Sequence, residues 1–522
     1  MSTLNFGSEA CRARCYDLLG SPASDTALQT LTVGNVSANC LVACDTDTGT
    51  PPVPGLGNVR VGQSLFVSAT TGDDATAVPY AFDRMYATVR AAFGDAVGGD
   101  TVYVYPGEYD ETLSGAGGQL VLPANVHVYG MQLAPTTSTL INAPPFQPVT
   151  IVAELIAAAA ALQPQSTICN IRLTAPLNLP AFTSPAAPPG SSRGIVYWMS
   201  CTIAENEGGG GGGLLSATVS MTSSDPLNFR DCRLQSLQLN GVQSPTPILR
   251  ITDDTVANFE NSSVGGVIVD AAGTTLIGVE TLFDSFDNIV LLGTVDLTNC
   301  QMQCVGIAPS VVSVQSATAT FEYCVVTGSV LEFAPVAQTP TYIVKFCELL
   351  GGLEFSGTDT LSVVVDNSLV ATSFTSSGVD GTLQFRNNVF RALPDFIVQH
   401  AVLGGGAYSF LSNTIETDVP IEIRQTVAST VATQSMVFSQ NVVVVGANTD
   451  EGSVRYTLTV LDQGNESQHI FTNNVFNFLD TGAGGGYTVD TNGPALDIVS
   501  GGNTSESGVG SNVNIAYSMA VD

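Results

Sequence analysis

A six-residue pattern recurs through most of this chain about once per 18 to 33 residues, and it restricts the fold more than any other feature. The pattern reads apolar, any, small or polar, Asn or Cys, any, apolar. Its clearest copies are Phe385-Arg386-Asn387-Asn388-Val389-Phe390 and Phe471-Thr472-Asn473-Asn474-Val475-Phe476, with further copies starting at Phe410 and Phe438. Earlier copies start at Val364, Val344, Phe321, Leu297, Ile277, Phe259, Phe229, Trp198 and Ile168. From Ile277 to Phe410 the starts are 20, 24, 23, 20, 21 and 25 residues apart. A β-rich repeat of that length marks a solenoid, in which each coil buries its apolar face only by stacking on the next.

The fourth position supplies a mechanism. It holds Asn367, Asn388, Asn413, Asn441 and Asn474 in the later copies, and Cys201, Cys232, Cys300, Cys324 and Cys347 in the earlier ones. Asn tolerates the left-handed backbone that a sharp corner needs. Stacked Asn side chains satisfy one another in a buried ladder, and a small Cys fits the same slot. The fourth position is Ile171, Ser262 and Glu280 in the three weakest copies.

The segment Leu65 to Gly130 points the same way. Phe66-Val67-Ser68 reads as a strand. Phe82, Met85, Val89 and Phe93 recur at helical spacing, predicting a helix over 80–93. Gly99-Asp100-Thr101-Val102-Tyr103-Val104-Tyr105-Pro106-Gly107-Glu108-Tyr109 alternates and stops on a Pro-Gly turn. Leu122-Pro123-Ala124-Asn125-Val126-His127-Val128-Tyr129-Gly130 closes a further strand. At these residues the chain resembles the pectin-lyase-like right-handed parallel β-helix superfamily, whose first coil is capped by a helix. The expected fold is therefore all-β: a right-handed single-stranded parallel β-helix over 64–500 with an N-terminal capping helix. A closing segment occupies 501–522.

Ahead of it, a Pro/Gly linker over 51–63 follows a small helical anchor segment, 1–50, with Cys11, Cys15, Cys40 and Cys44. The twin C-x3-C spacing puts each pair on one helix face. A doubly disulfide-linked helical hairpin, a four-thiolate zinc site and four unlinked thiols all fit that spacing.

Net charge is −31, from 46 acidic and 15 basic residues, and Lys345 is the only lysine. The acidity comes from missing bases, which opposes nucleic acid and anionic membranes as partners. Met1 to Ser21 carries Glu9, Arg12, Arg14 and Asp17 and has no signal-peptide core. Membrane insertion is not expected: Ile151 to Leu162 is too short to span and contains Glu154.

Enzymes of this fold need clustered carboxylates with a basic group or a histidine. The histidines, His127, His400 and His469, fall in separate copies and are expected to be structural. Asp231, Asp253, Asp254, Asp366 and Asp395 match no catalytic motif, and Gly208 to Gly213 lacks the Lys and Ser/Thr of a phosphate loop. Arg230 with Glu260, and Glu322 with Lys345, are expected as exposed cross-strand ion pairs. No catalytic residue, metal or cofactor is assigned. The resemblance and the missing catalytic signatures imply a structural or surface protein, similar to β-helical virion proteins of large DNA viruses or phage tailspikes, assembled in host cytoplasm and placed on the virion. Its N-terminal segment would dock, and its partners would be itself, as a homotrimer, or capsid shell proteins. The alternatives are a polysaccharide lyase or hydrolase, and a non-catalytic adhesin for host-surface glycans.

Overall fold

The computed structural model describes most of residues 63–506, the longest stretches outside it being 132–148 and 205–218, together with Thr3–Leu4 and Leu31–Thr32. Cys11, Cys15, Cys40 and Cys44 lie outside the described residues. Within 1–50, Thr3–Leu4 pairs antiparallel with Leu31–Thr32. The chain forms two compact units, Met1–Asn206 and Glu207–Asp522.

In the first unit, Ser64–Val67 pairs in parallel with Thr101–Val104, which pairs with His127–Gly130. That strand pairs with Gln165–Cys169, and the last with Ile195–Met199. Alternate residues face inward: Leu65, Val67, Val102, Val104 and Val128 are buried. Outward-facing Phe66, Tyr103 and Tyr129 stack in register, with ring centroids 5.6 and 6.0 Å apart.

The helix covers Val89–Asp95 rather than 80–93. Val89 and Phe93 are buried on it as the spacing implied, but Phe82 is 57% exposed. The cause is a competing strand contact. Tyr86 N donates to Phe66 O at 2.8 Å, and Ser68 N donates to Tyr86 O at 2.8 Å. A residue tied to a strand on both sides cannot enter a helix, so the helix starts after Thr88, whose Oγ1 accepts from Ala91 N as N-cap. Buried Glu111 adds to this cap by accepting from Val89 N at 2.8 Å. Its pKa is raised, because burial outweighs those donors and the Arg90 guanidinium 3.4 Å away.

In the second unit each coil contributes up to three strands. Coil after coil, the first strands pair in parallel, as in Thr294–Thr298 with Thr318–Glu322 and then Thr341–Lys345. The second and third strands build their own parallel ladders, as in Gln301–Cys304 with Val325–Thr327 and Ser310–Val314 with Ser329–Phe333. Parallel strands that pair one repeat apart are what a β-helix solenoid requires, and the architecture is all-β and consistent with one. Inside, like residues stack on like: Phe385 lies 4.7 Å from Phe410 at 18°, and Phe333 lies 5.4 Å from Phe355 at 12°. Such offset stacks contribute about 0.5–1.5 kcal/mol each beyond area burial.

Candidate functional site

The turn between first and second strands carries most of the residues singled out from the sequence, and it divides their roles between two adjacent positions. The third position of the repeat takes the left-handed backbone. In the second unit φ lies between 46 and 58° at Asp231, Asn261, Glu280, Asn299, Tyr323, Phe346, Asn367, Asn387, Ser412, Gln440 and Asn473. The fourth position then turns inward and is buried. The expectation that the fourth-position residue itself is left-handed is therefore corrected by one residue. Polar side chains at the third position stay outside, where Asn261 Nδ2 donates to Asp231 Oδ1 at 2.6 Å.

Two copies are in a shifted register. Val344 pairs with Val365, and Val365 with Phe385, so the copy starts at Val365 rather than Val364. Asn367 is accordingly an exposed corner residue with φ 50°, and Ser368 fills the buried slot. In the same way Gly278 pairs with Leu297, which makes Glu280 the corner and buried Thr281 the slot.

The inner ladder of the second unit thus reads Cys232, Ser262, Thr281, Cys300, Cys324, Cys347, Ser368, Asn388, Asn413, Asn441 and Asn474, each at most 5% exposed. In the Asn half, every Oδ1 accepts from the previous coil: Asn388 Oδ1 from Ser368 N at 2.9 Å, and Asn441 Oδ1 from Asn413 N and Nδ2 at 2.9 and 3.0 Å. Each Nδ2 also donates back to a carbonyl, as Asn413 Nδ2 does to Phe385 O at 3.1 Å and Asn474 Nδ2 to Phe438 O at 2.9 Å. In the Cys and hydroxyl half, the side chain donates to backbone carbonyls. Cys324 Sγ reaches Leu297 O at 3.3 Å, Cys347 Sγ reaches Lys345 O at 3.2 Å, and Ser262 Oγ reaches Glu260 O at 2.9 Å. Cys201 occupies the equivalent place in the first unit, bonded to Ile168 O and Met199 O at 3.3 Å. Cys300, Cys324 and Cys347 are thiols rather than disulfides. The hydrogen bond with Cys324, then burial, push the Cys300 thiol far above its ordinary range, so it stays protonated.

Among the described residues of the second unit, those considered for catalysis fall on several coils, with Asp395 and His400 on one strand. His127 lies in a first-unit strand, half-buried, with Nδ1 lacking a partner and its pKa lowered by burial. In the second unit, His469 lies on a first strand and His400 on the long strand Val389–Val402. Asp231 and Asp366 stand six coils apart, counted through Asn261, Glu280, Asn299, Tyr323, Phe346 and Asn367, or about 29 Å. Asp395 sits in register with Ser373 on a third strand, and Asp253, Asp254 and Gly208 to Gly213 lie outside the described residues. Arg230 and Glu260 form the expected pair at 3.6 Å. Glu322 and Lys345 are in register, but among the described residues no ion pair joins them.

One carboxylate pair escaped the sequence reading. Glu332 and Glu354 are in register on adjacent third strands. Ser356 Oγ donates to Glu332 Oε1 at 2.7 Å. Burial first, and the Glu332 charge second, raise the pKa of Glu354. They lie 22 residues apart, outside the six-residue copies that start at Phe321 and Val344, and gave no signal in the sequence. Among the described residues no group of three or more His, Cys, Asp or Glu is placed to hold a metal ion, and no helix is long and apolar enough to cross a membrane. No family model matches the chain, and neither a curated protein nor a solved structure does.

Proposed function

We propose that this is a structural or surface protein in which a right-handed, single-stranded parallel β-helix of the pectin-lyase-like kind serves as a rigid scaffold. The observation that carries the reading is the Asn ladder, in which Asn388, Asn413 and Asn441 are each bonded to the coil before and the coil after. A buried network with its polar groups paired favours rigidity and a single native arrangement. The placement of Asp231, Asp366 and His469 on separate coils of the second unit adds to it. The resemblance to β-helical virion proteins extends the proposal to a place on a virion surface, with residues 1–50 docking the scaffold to a shell. Quantitative mass spectrometry of purified particles tests this: the chain should be a stoichiometric component. A trace amount, or none, overturns the virion reading.

A polysaccharide-active enzyme is the second reading, favoured by Glu332 and Glu354. Their strands are adjacent and in register, with a spacing of about 4.8 Å, retaining glycosidases use carboxyls about 5–5.5 Å apart, and a raised pKa suits a general acid. Reducing-end release from acidic and neutral polysaccharides, lost in Glu354→Gln, would establish it.

A further inference from the structure

The outer face of the corner in the second unit has a symmetry of its own. Immediately before the corner, the last residue of each first strand points outward, and four consecutive coils place Glu322, Lys345, Asp366 and Arg386 there in strict register. In a chain with 46 acidic and 15 basic residues, this row is balanced and alternates in sign. Read backwards, it is its own complement. A parallel approach of two such rows sets like charge on like. An antiparallel approach, about a two-fold axis midway between Lys345 and Asp366, sets Glu322 on the partner's Arg386 and Lys345 on the partner's Asp366.

One pair of exposed apolar residues falls on coils that the same axis relates. Among the described residues of the second unit, the large hydrophobic side chains left exposed are Val279, Tyr323, Phe346, Leu350 and Val442. All lie within four residues of a corner residue. Val279 is three coils before Lys345 and Val442 belongs to the coil three after Asp366, so the axis brings Val279 to the coil of the partner's Val442. Seven steps of about 4.8 Å separate those coils, roughly 34 Å in all.

Tyr323 and Phe346 stand out on this ridge. Their rings stack at 4.9 Å and 8°, and they are 53% and 43% exposed. Both occupy the left-handed backbone, with φ 55 and 53°. Bulky residues there are genuine outliers, whereas the other corners of this unit are Asn, Asp, Ser, Gln or Glu. A strained, exposed aromatic step contributes nothing to the interior, but it gives an interface its rigid contact area. The axis carries Tyr323 to the coil of the partner's Arg386, where a guanidinium meets an aromatic face.

We propose that this corner ridge is the contact surface for a second copy of the chain, joined antiparallel about the Lys345–Asp366 midpoint. The pairing is isologous and closes at two. It stands independently of what the scaffold is for, and it specifies a two-fold contact where the sequence alone suggested a trimer.

Analytical ultracentrifugation of the full chain across a wide concentration range tests it. The wild type should be a dimer that salt weakens. Lys345→Glu and Asp366→Lys should each weaken dimerisation on the order of ten-fold or more, and the double variant should restore it, because the swapped row is again its own complement. Glu322→Arg and Arg386→Glu provide a second pair with the same expected pattern, should the first perturb folding. Tyr323→Asn with Phe346→Asn should keep the fold, since Asn suits the left-handed corner, and should lose the dimer. A wild-type monomer or trimer, a dimer indifferent to the single charge reversals, or swaps that fail to restore association in folded protein would each overturn the proposal.

Discussion

Asn413 Oδ1 accepts two hydrogen bonds from Asn388, from the backbone N at 2.9 Å and from Nδ2 at 3.1 Å. One side-chain atom therefore satisfies both the main chain and the side chain of the coil before it, at a point where water has no access. Asn413→Leu should destabilise by about 3 kcal/mol, since two buried donors lose their acceptor at about 1–3 kcal/mol each and partial relaxation recovers some of it. Chemical denaturation reads this directly. A loss below about 0.5 kcal/mol would mean that the ladder is wet.

Cys324 tests the other half of the ladder. Its thiol donates to Leu297 O and Glu322 O, and the slots at Ser262 and Ser368 already use a hydroxyl for the same kind of bond, at 2.9 and 3.0 Å to Glu260 O and Asp366 O. Cys324→Ser should accordingly cost less than about 1 kcal/mol, whereas Cys324→Leu overpacks a site closed by neighbouring coils and should cost about 1–3 kcal/mol. The ratio of the two in denaturant midpoint separates a hydrogen-bonding slot from a merely apolar one.

Corner geometry makes a third prediction. Asn299 has φ 53° and lies outside the ladder. Asn299→Val places a β-branched residue in the left-handed region and should destabilise by about 1–2 kcal/mol, while Asn299→Gly should be near neutral. Equal effects of the two in thermal unfolding would contradict a backbone origin.

Glu354 gives the pH dependence. Its folded-state pKa is raised by burial and by Glu332, so the folded protein holds this proton more tightly than the unfolded chain does. The contribution to stability is fully present below the unfolded-state pKa and is lost as pH rises through the folded-state value. Glu354→Gln, which removes the titrating charge, should flatten that part of the stability profile and raise stability at neutral pH. A profile from pH 4 to 7 that is the same in both proteins would refute it.

The coil-by-coil organisation was legible because stacking makes the sequence repeat. Each coil must offer inward residues at the same place, so Phe385, Phe410 and Phe438 recur and come to lie in register. Buried Cys324 and Asn413 were legible for the same reason. Legibility failed wherever the interior accepted what the pattern did not name. Gly278 takes an inward position because a Cβ there would meet Leu297 at 2.8 Å and Cys300 Sγ at 3.1 Å, and a glycine cannot be read as core. Val363-Val364-Val365 offers no alternation, so its parity was set only by pairing with Tyr342 and Val344. The helix boundary was decided by a long-range bond from Tyr86 to Phe66.

Sequence alone determined the period, the inward apolar stripe, and the Asn or Cys at most of the buried slots, because these follow from residue type and spacing. Tertiary structure decided the register and everything that lies between coils. Residues as far apart as Glu322 and Lys345, or Glu332 and Glu354, become neighbours only when strands stack at about 4.8 Å, and no local pattern encodes which loop length brings them level. The alternating charge row and the half-buried carboxylate pair are both products of that stacking.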